Sequence, residues 1–147
     1  MVDMLIERFI CKDLWREASQ PEIVILTGPR QVGKTTLHRW VEEQARRSGK
    51  ATRFLDLEQP SDLASLHGGG EEVIAALTRD VDMVFVDDFY YLENAGRIFK
   101  AIFDRGERQG RRIKVFASGS SSVEIHGHLQ ESLAGRTVTG DTPPALG

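Results

Sequence analysis

Apolar residues fall into two spacings along this chain. The unbroken run Ile23-Val24-Ile25-Leu26-Thr27 and the stretch Asp82-Met83-Val84-Phe85-Val86-Asp87 predict strands, the second buried on both faces. Ala51 to Leu57 and Ile113 to Ala117 predict two more. Between them the period changes. Leu37, Trp40, Val41 and Ala45 share one helical face, and Ala95, Ile98, Phe99, Ile102 and Phe103 follow the i, i+3, i+4 rule. Glu71 to Thr78 predicts a short helix with acids in its first turn. Leu5, Ile6, Phe9, Ile10 and Leu14 predict an amphipathic N-terminal helix within residues 1–20, ended by Gln20-Pro21. Ser48-Gly49 and Gly110 are helix stops. The stretch from Pro60 to Gly68-Gly69-Gly70 reads as a loop with a flexible link. Strands alternating with helices imply an α/β fold, a mostly parallel sheet with helices on both faces in three layers.

In such sheets ligands bind at the carboxyl ends of the strands. The segment after the first strand is Gly28-Pro29-Arg30-Gln31-Val32-Gly33-Lys34-Thr35, followed by Thr36. It has the form G-x-x-x-x-G-K-T between a strand and a helix, which is the context a P-loop requires. The glycines let the backbone turn tightly against phosphates. Successive N–H groups and the helix N-terminus form an anion nest. Lys34 supplies a point charge for the β- and γ-phosphates, and Thr35 a hydroxyl oxygen for Mg²⁺.

Composition narrows the class. The 147 residues are 40% hydrophobic and 28% charged, which fits one globular domain over 1–147. A net charge of −3 argues against a protein that coats nucleic acid, without excluding local basic contacts. Cys11 is the only cysteine, so no intrachain disulfide forms, and a reducing cytoplasm is the simplest setting. No apolar run approaches a membrane span, and the charged N-terminus is no signal peptide.

Hydrolysis needs more than a phosphate cradle. It needs an acid for Mg²⁺ and a group that orients water. Asp87 ends an apolar strand and is the candidate metal residue with Thr35; Asp88 follows at the water-polarising position. Ser120, just after the fourth strand, could hydrogen-bond the γ-phosphate or the water, although a loop of small polar residues reads almost as well. His126-Gly127-His128 lacks an obvious third metal ligand. Arg105, Arg108, Arg111 and Arg112 read as a solvated helix end. Trp15 and Trp40 read as core or interface.

GPRQVGKTT, the strand ending VFVDD, SGSSS and ESLAGR occur in that order, and FLDLEQPSDL lies between the first two. Together they resemble the prokaryotic AAA-type P-loop ATPases whose ATPase domain precedes a C-terminal domain of unknown function, over about Arg8 to Arg136. The resemblance implies ATP and Mg²⁺ as ligands, and a sheet whose fourth strand lies between the P-loop strand and the Asp87 strand. It implies Ser120 as the sensor position, and Arg136 as a phosphate contact in its own chain or a neighbour's, hence self-association or a protein partner.

Two departures stand out. The family has Asp-Glu where this chain has Asp87-Asp88. About 1 Å of misplacement can cost on the order of a hundredfold in rate, so impaired turnover with intact binding is expected. Residues 137–147 also lack an apolar strand and contain Pro143-Pro144, so an irregular tail is expected there. A missing fifth strand, lid and C-terminal domain would make the chain a truncated or degenerate copy with the P-loop strand at an exposed edge. The readings in play are an ATP-binding, Mg²⁺-dependent ATPase with catalytic candidates Lys34, Asp88, Ser120 and Arg136, a non-hydrolysing nucleotide-binding remnant or scaffold, and a small-molecule kinase, for which no acceptor signature is present. A GTPase is disfavoured, because Tyr90 stands where D-x-x-G would need glycine.

Overall fold

The computed structural model describes residues 12–28, 33–120 and 135–139; for Lys34, Ser120 and Arg136 it describes the backbone. Residues 12–17 are helical (α1). Then come β1 (Ile23–Gly28), α2 (Lys34–Arg47), β2 (Thr52–Asp56), α3 (Pro60–Ala64), α4 (Gly70–Thr78) and β3 (Met83–Asp87). A single 3₁₀ turn (Phe89–Tyr91), α5 (Ala95–Gln109), β4 (Lys114–Ser120) and β5 (Gly135–Thr139) complete the described residues. The rest of the predicted N-terminal helix, Pro29 to Val32, His126 to His128 and the stretch beyond Thr139 lie outside them.

The five strands form one parallel sheet in the order β2-β3-β4-β1-β5. β4 sits between β1 and β3, as the resemblance implied. Two expectations are corrected. A fifth strand is present, and it pairs with β1 from Ile23↔Gly135 to Thr27↔Thr139. The P-loop strand is therefore not an exposed edge, and the tail is not irregular from residue 137. Thr137-Val138-Thr139 is short of apolar residues but rich in β-branched ones, and an edge strand needs no more than that. The expected loop after β2 also contains α3. Pro60 occupies its first turn, where a missing N–H costs nothing, and the Asp62 carboxylate accepts the Asp56 N–H at 2.9 Å.

Strand alternation divides the core into two layers. On one face, Ile25, Leu55, Val84, Val86, Val115 and Ala117 pack with α4 and α5 through Val73, Leu77, Ile98, Phe99 and Ile102. On the other, Val24, Leu26, Met83, Phe85 and Phe116 pack with α1 and α2 through Leu14, Leu37, Val41 and Ala45. All five residues of β3 are buried, as its unbroken apolar run predicted. α5 ends at Gly110 in the left-handed conformation, φ 69°, where a side chain would be strained. Among the described residues no helix is long and apolar enough to cross a membrane.

Candidate phosphate and metal site

The α2 face of the sheet carries two rows of side chains. Register pairs Phe54 with Phe85 and Phe85 with Phe116. Their rings stack, with centroids 6.0 and 5.1 Å apart. Two residues further toward the strand ends, the same face presents Asp56, Asp87 and Ser118. An apolar row thus gives way to a polar row at the carboxyl edge.

α2 lies across both rows. His38 is fully buried and meets Phe54, Phe85 and Phe116 edge-on, at centroid distances of 6.3, 5.7 and 6.2 Å. Its Nδ1 lies 2.6 Å from Asp87 Oδ1. An ionised carboxylate only accepts, so Nδ1 carries the proton. Ser118 Oγ donates to the same Oδ1 at 2.9 Å, and Thr35 Oγ1 donates to Oδ2 at 2.5 Å. Burial is the largest influence on Asp87 and pushes its carboxyl up. The bond and charge from His38, with the bonds from Thr35 and Ser118, outweigh it and hold Asp87 below the ordinary carboxylate value. Asp56, its neighbour in the row, goes the other way: burial raises it, and the charges of Asp87 and Asp62 add to the rise.

The start of α2 suits an anion. Gly33 is left-handed (φ 67°, ψ 44°), a conformation that favours glycine. Among the described residues the helix has no side-chain cap, and it has no acid in its first turn, a start that favours an anion. Lys34 is the first residue of α2, and Thr36 follows Thr35 with its side chain exposed.

Gly28 ends β1 directly opposite Ser120, the last residue of β4, and Asp87 ends β3. Gly28, Gly33, Lys34, Thr35, Thr36, Asp87 and Ser120 therefore meet at one edge of the sheet. Pro29, Arg30, Gln31 and Val32 of the predicted cradle are outside the described residues. Asp88 follows Asp87 but turns aside. It is left-handed (φ 57°), and its carboxylate lies with those of Asp56 and Glu58, the oxygens within 4.8 Å of one another. Arg136 is not brought to the edge: its Cα pairs with Val24, four residues before Gly28 and about 13 Å away at the usual rise per strand residue.

Sequence reasoning missed His38 and Ser118. A signal for them was present. Phe54-x-Asp56, Phe85-x-Asp87 and Phe116-x-Ser118 repeat one spacing in the C-terminal parts of three strands, and His38 interrupts an apolar helix face beside Leu37 and Val41. Elsewhere, Arg105 pairs with Glu71 and Arg112 with Glu107 at the surface, as a solvated helix end would. Trp15 packs against the α2-side core, whereas Trp40 is exposed.

A family model described as an AAA domain matches residues 20–145. The uncharacterized protein Rv2008c of Mycobacterium tuberculosis is 32% identical over 134 residues, covering 90% of this chain and 28% of its own length. Mb2031c of Mycobacterium bovis matches to the same extent. The chain thus spans 28% of the length of these curated relatives. Among solved structures, AMPPCP-bound DnaA from Aquifex aeolicus superposes with a TM-score of 0.59 at 16% identity, over 88% of this chain and 44% of that one. The Aeropyrum pernix ORC1 protein in complex with DNA gives 0.59 at 13% identity, over 97% and 46%. C. elegans PCH-2 gives 0.57 at 14% identity, over 97% and 42%. At such identities the superpositions bear on the fold alone.

Proposed function

This chain belongs to the AAA domain family, and from that membership we propose that it binds ATP with Mg²⁺ at the carboxyl edge of β1, β3 and β4. The observation that carries the reading is the 2.5 Å hydrogen bond between Thr35 Oγ1 and Asp87 Oδ2. It joins the hydroxyl of the P-loop to the carboxylate of a distant strand. Both are hard oxygen donors, the type Mg²⁺ prefers, and Mg²⁺ sites commonly use one or two carboxylates with phosphate and water completing the shell. The residues present therefore fit the ion. In this reading Thr35 and Asp87 hold it, Lys34 neutralises phosphate charge, and the backbone from Gly28 to Thr36 cradles the phosphates. Bound Mg²⁺ would supply charge neutralisation between the terminal phosphates. The choice of an adenine nucleotide follows by analogy of fold with AMPPCP-bound DnaA.

Hydrolysis is the finer part of the proposal. Ser120, whose backbone pairs with Gly28 at the end of β4, is the residue we assign to a terminal phosphate or a water. Asp88 is the water-orienting candidate, but it is shorter than the family's Glu and its carboxylate lies with Asp56 and Glu58. Those observations favour slow turnover, with a non-hydrolysing nucleotide-binding remnant or scaffold as the second reading. Arg136, level with the start of β1, serves more readily toward a neighbouring molecule than toward the phosphate edge of its own chain.

Calorimetric titration with ATP and Mg²⁺ tests the proposal. Wild type is expected to bind and Lys34→Ala to lose that binding. Equal affinity in both would remove the P-loop reading. Phosphate release then separates the slow ATPase from the non-hydrolysing scaffold.

A further inference from the structure

We infer that His38 is a positioning residue that turns Asp87 toward the metal. The inference rests on the Mg²⁺–ATP reading above and deepens it.

Asp87 has two carboxylate oxygens with unlike surroundings. Oδ1 receives two donors, His38 Nδ1 at 2.6 Å and Ser118 Oγ at 2.9 Å. Among the described residues Oδ2 receives only the Thr35 hydroxyl, at 2.5 Å. A hydroxyl can rotate its proton away and offer a lone pair to a cation instead. The His38 N–H cannot turn away, because the ring is fully buried among three phenylalanines. Oδ1 is thus pinned to the protein, and Oδ2 is the oxygen left to face the P-loop. The carboxylate cannot swing about its side-chain torsions without breaking two buried hydrogen bonds.

The opposite ring nitrogen argues that this bond is what the histidine is for. Among the described residues His38 Nε2 is buried without a hydrogen-bond partner. An unpaired buried polar atom costs free energy, so an aliphatic residue would suit this aromatic bed better if only packing mattered. Of its buried neighbours on α2, Leu37, Val41 and Ala45 are apolar, and the one charged neighbour, Glu42, is paired with Arg39, Arg46 and Thr52. The imidazole bears the cost of Nε2 and gains through Nδ1 a fixed Asp87. Partners that orient a metal ligand commonly change metal affinity by about 10- to 100-fold when removed.

The test compares the affinity for ATP with and without Mg²⁺, read by calorimetry as a ratio within each protein. Wild type is expected to show a clear gain from Mg²⁺. In His38→Leu that gain is expected to shrink by about tenfold or more. In His38→Asn, whose amide N–H can stand near the former Nδ1, it is expected to return in part. Thermal unfolding of the nucleotide-free proteins accompanies the titrations. A purely structural histidine predicts a lower midpoint in His38→Leu with an unaltered Mg²⁺ gain. That result overturns the inference, as does a loss in His38→Leu with no recovery in His38→Asn. If wild type binds no ATP under either condition, the nucleotide reading fails and the inference with it. Binding with an unaltered Mg²⁺ gain in His38→Leu removes the inference alone.

Discussion

The two faces of the sheet are built from the same strands and do different work. Toward α4 and α5 the inward side chains are apolar almost without exception: Ile25, Val84, Val86, Val115 and Ala117 meet Ile98, Phe99 and Ile102. Toward α2 the face begins as a phenylalanine ladder and ends in Asp87, Ser118 and His38, all buried. Glu42, nearly as buried, sits on the same side and accepts from Arg39, Arg46 and Thr52. Polar burial costs free energy even when it is well paired. One face therefore supplies cohesion and the other uses some of it to fix a carboxylate. The division predicts that damage to the α5 face reduces stability without touching the site, and that damage to the ladder does both.

The largest effect expected is in the cores themselves. Phe99 is fully buried on the α5 face and Phe85 on the α2 face. Truncating either to Ala should cost about 3–5 kcal/mol of unfolding free energy, measurable in urea. The pair separates on binding. Phe99→Ala should keep the wild-type Mg²⁺ gain in ATP affinity at temperatures where it remains folded. Phe85→Ala removes the central ring against which His38 rests, 5.7 Å away, and should reduce that gain. Equal binding defects in the two variants would dissolve the distinction between the faces.

A smaller effect tests how the faces join. Phe89 packs on the α5 side directly after Asp88, so its ring anchors the turn that leaves the site. Gly119 in β4 makes room for it: a Cβ there would stand 2.8 Å from Phe89 Cε1. Gly119→Ala should cost about 1–3 kcal/mol through overpacking, read as a lower denaturation midpoint. The glycine of SGSSS is therefore a packing requirement, which neither a phosphate contact nor a loop of small polar residues implies. Wild-type stability in Gly119→Ala would show that the turn after Asp88 is loosely held.

How much of this was readable in advance follows from the range of each signal. The P-loop, the strand ending in Asp87 and the α5 helix are local patterns, and period and spacing reveal them. The order of β3, β4 and β1 came from the resemblance, since no local pattern carries it. β5 was misread because apolar content was taken as the mark of a strand, whereas an edge strand can be built on Thr137, Val138 and Thr139. α3 lies in a stretch that reads as a loop, because five residues are too few to show a helical period and Pro60 fits a first turn as well as a loop. His38 and Ser118 were missed for a different reason. Their role exists only where three strands and a helix meet, and each alone looks like a polar residue in an ordinary place. The repeat of Phe-x-Asp, Phe-x-Asp and Phe-x-Ser was the one trace left in the sequence.

The finest contrast lies within the polar row, where two adjacent aspartates shift in opposite directions. Asp87 is held below its ordinary value of 3.8 and Asp56 is raised above it. A carboxyl depressed in the folded state stabilises the protein above the unfolded value, and that contribution is lost as pH falls through the lower folded value. A raised carboxyl does the reverse: its charge disfavours the folded state at neutral pH, and the penalty is relieved as pH falls through the raised value toward 3.8. On acidification Asp56 should therefore add stability before 3.8 is reached, and Asp87 should withdraw it below. Urea unfolding across that range, in wild type and two variants, checks the signs. Asp56→Asn should remove the gain above 3.8 and leave the acid-side loss in place. Asp87→Asn should remove part of the loss below 3.8. It should also shrink the gain above, because the charge of Asp87 is one cause of the rise in Asp56. An Asp87→Asn variant that retains the full wild-type acid-side loss would mean that the three donors converging on this carboxylate do not hold it ionised, and that the α2 face is not organised around it.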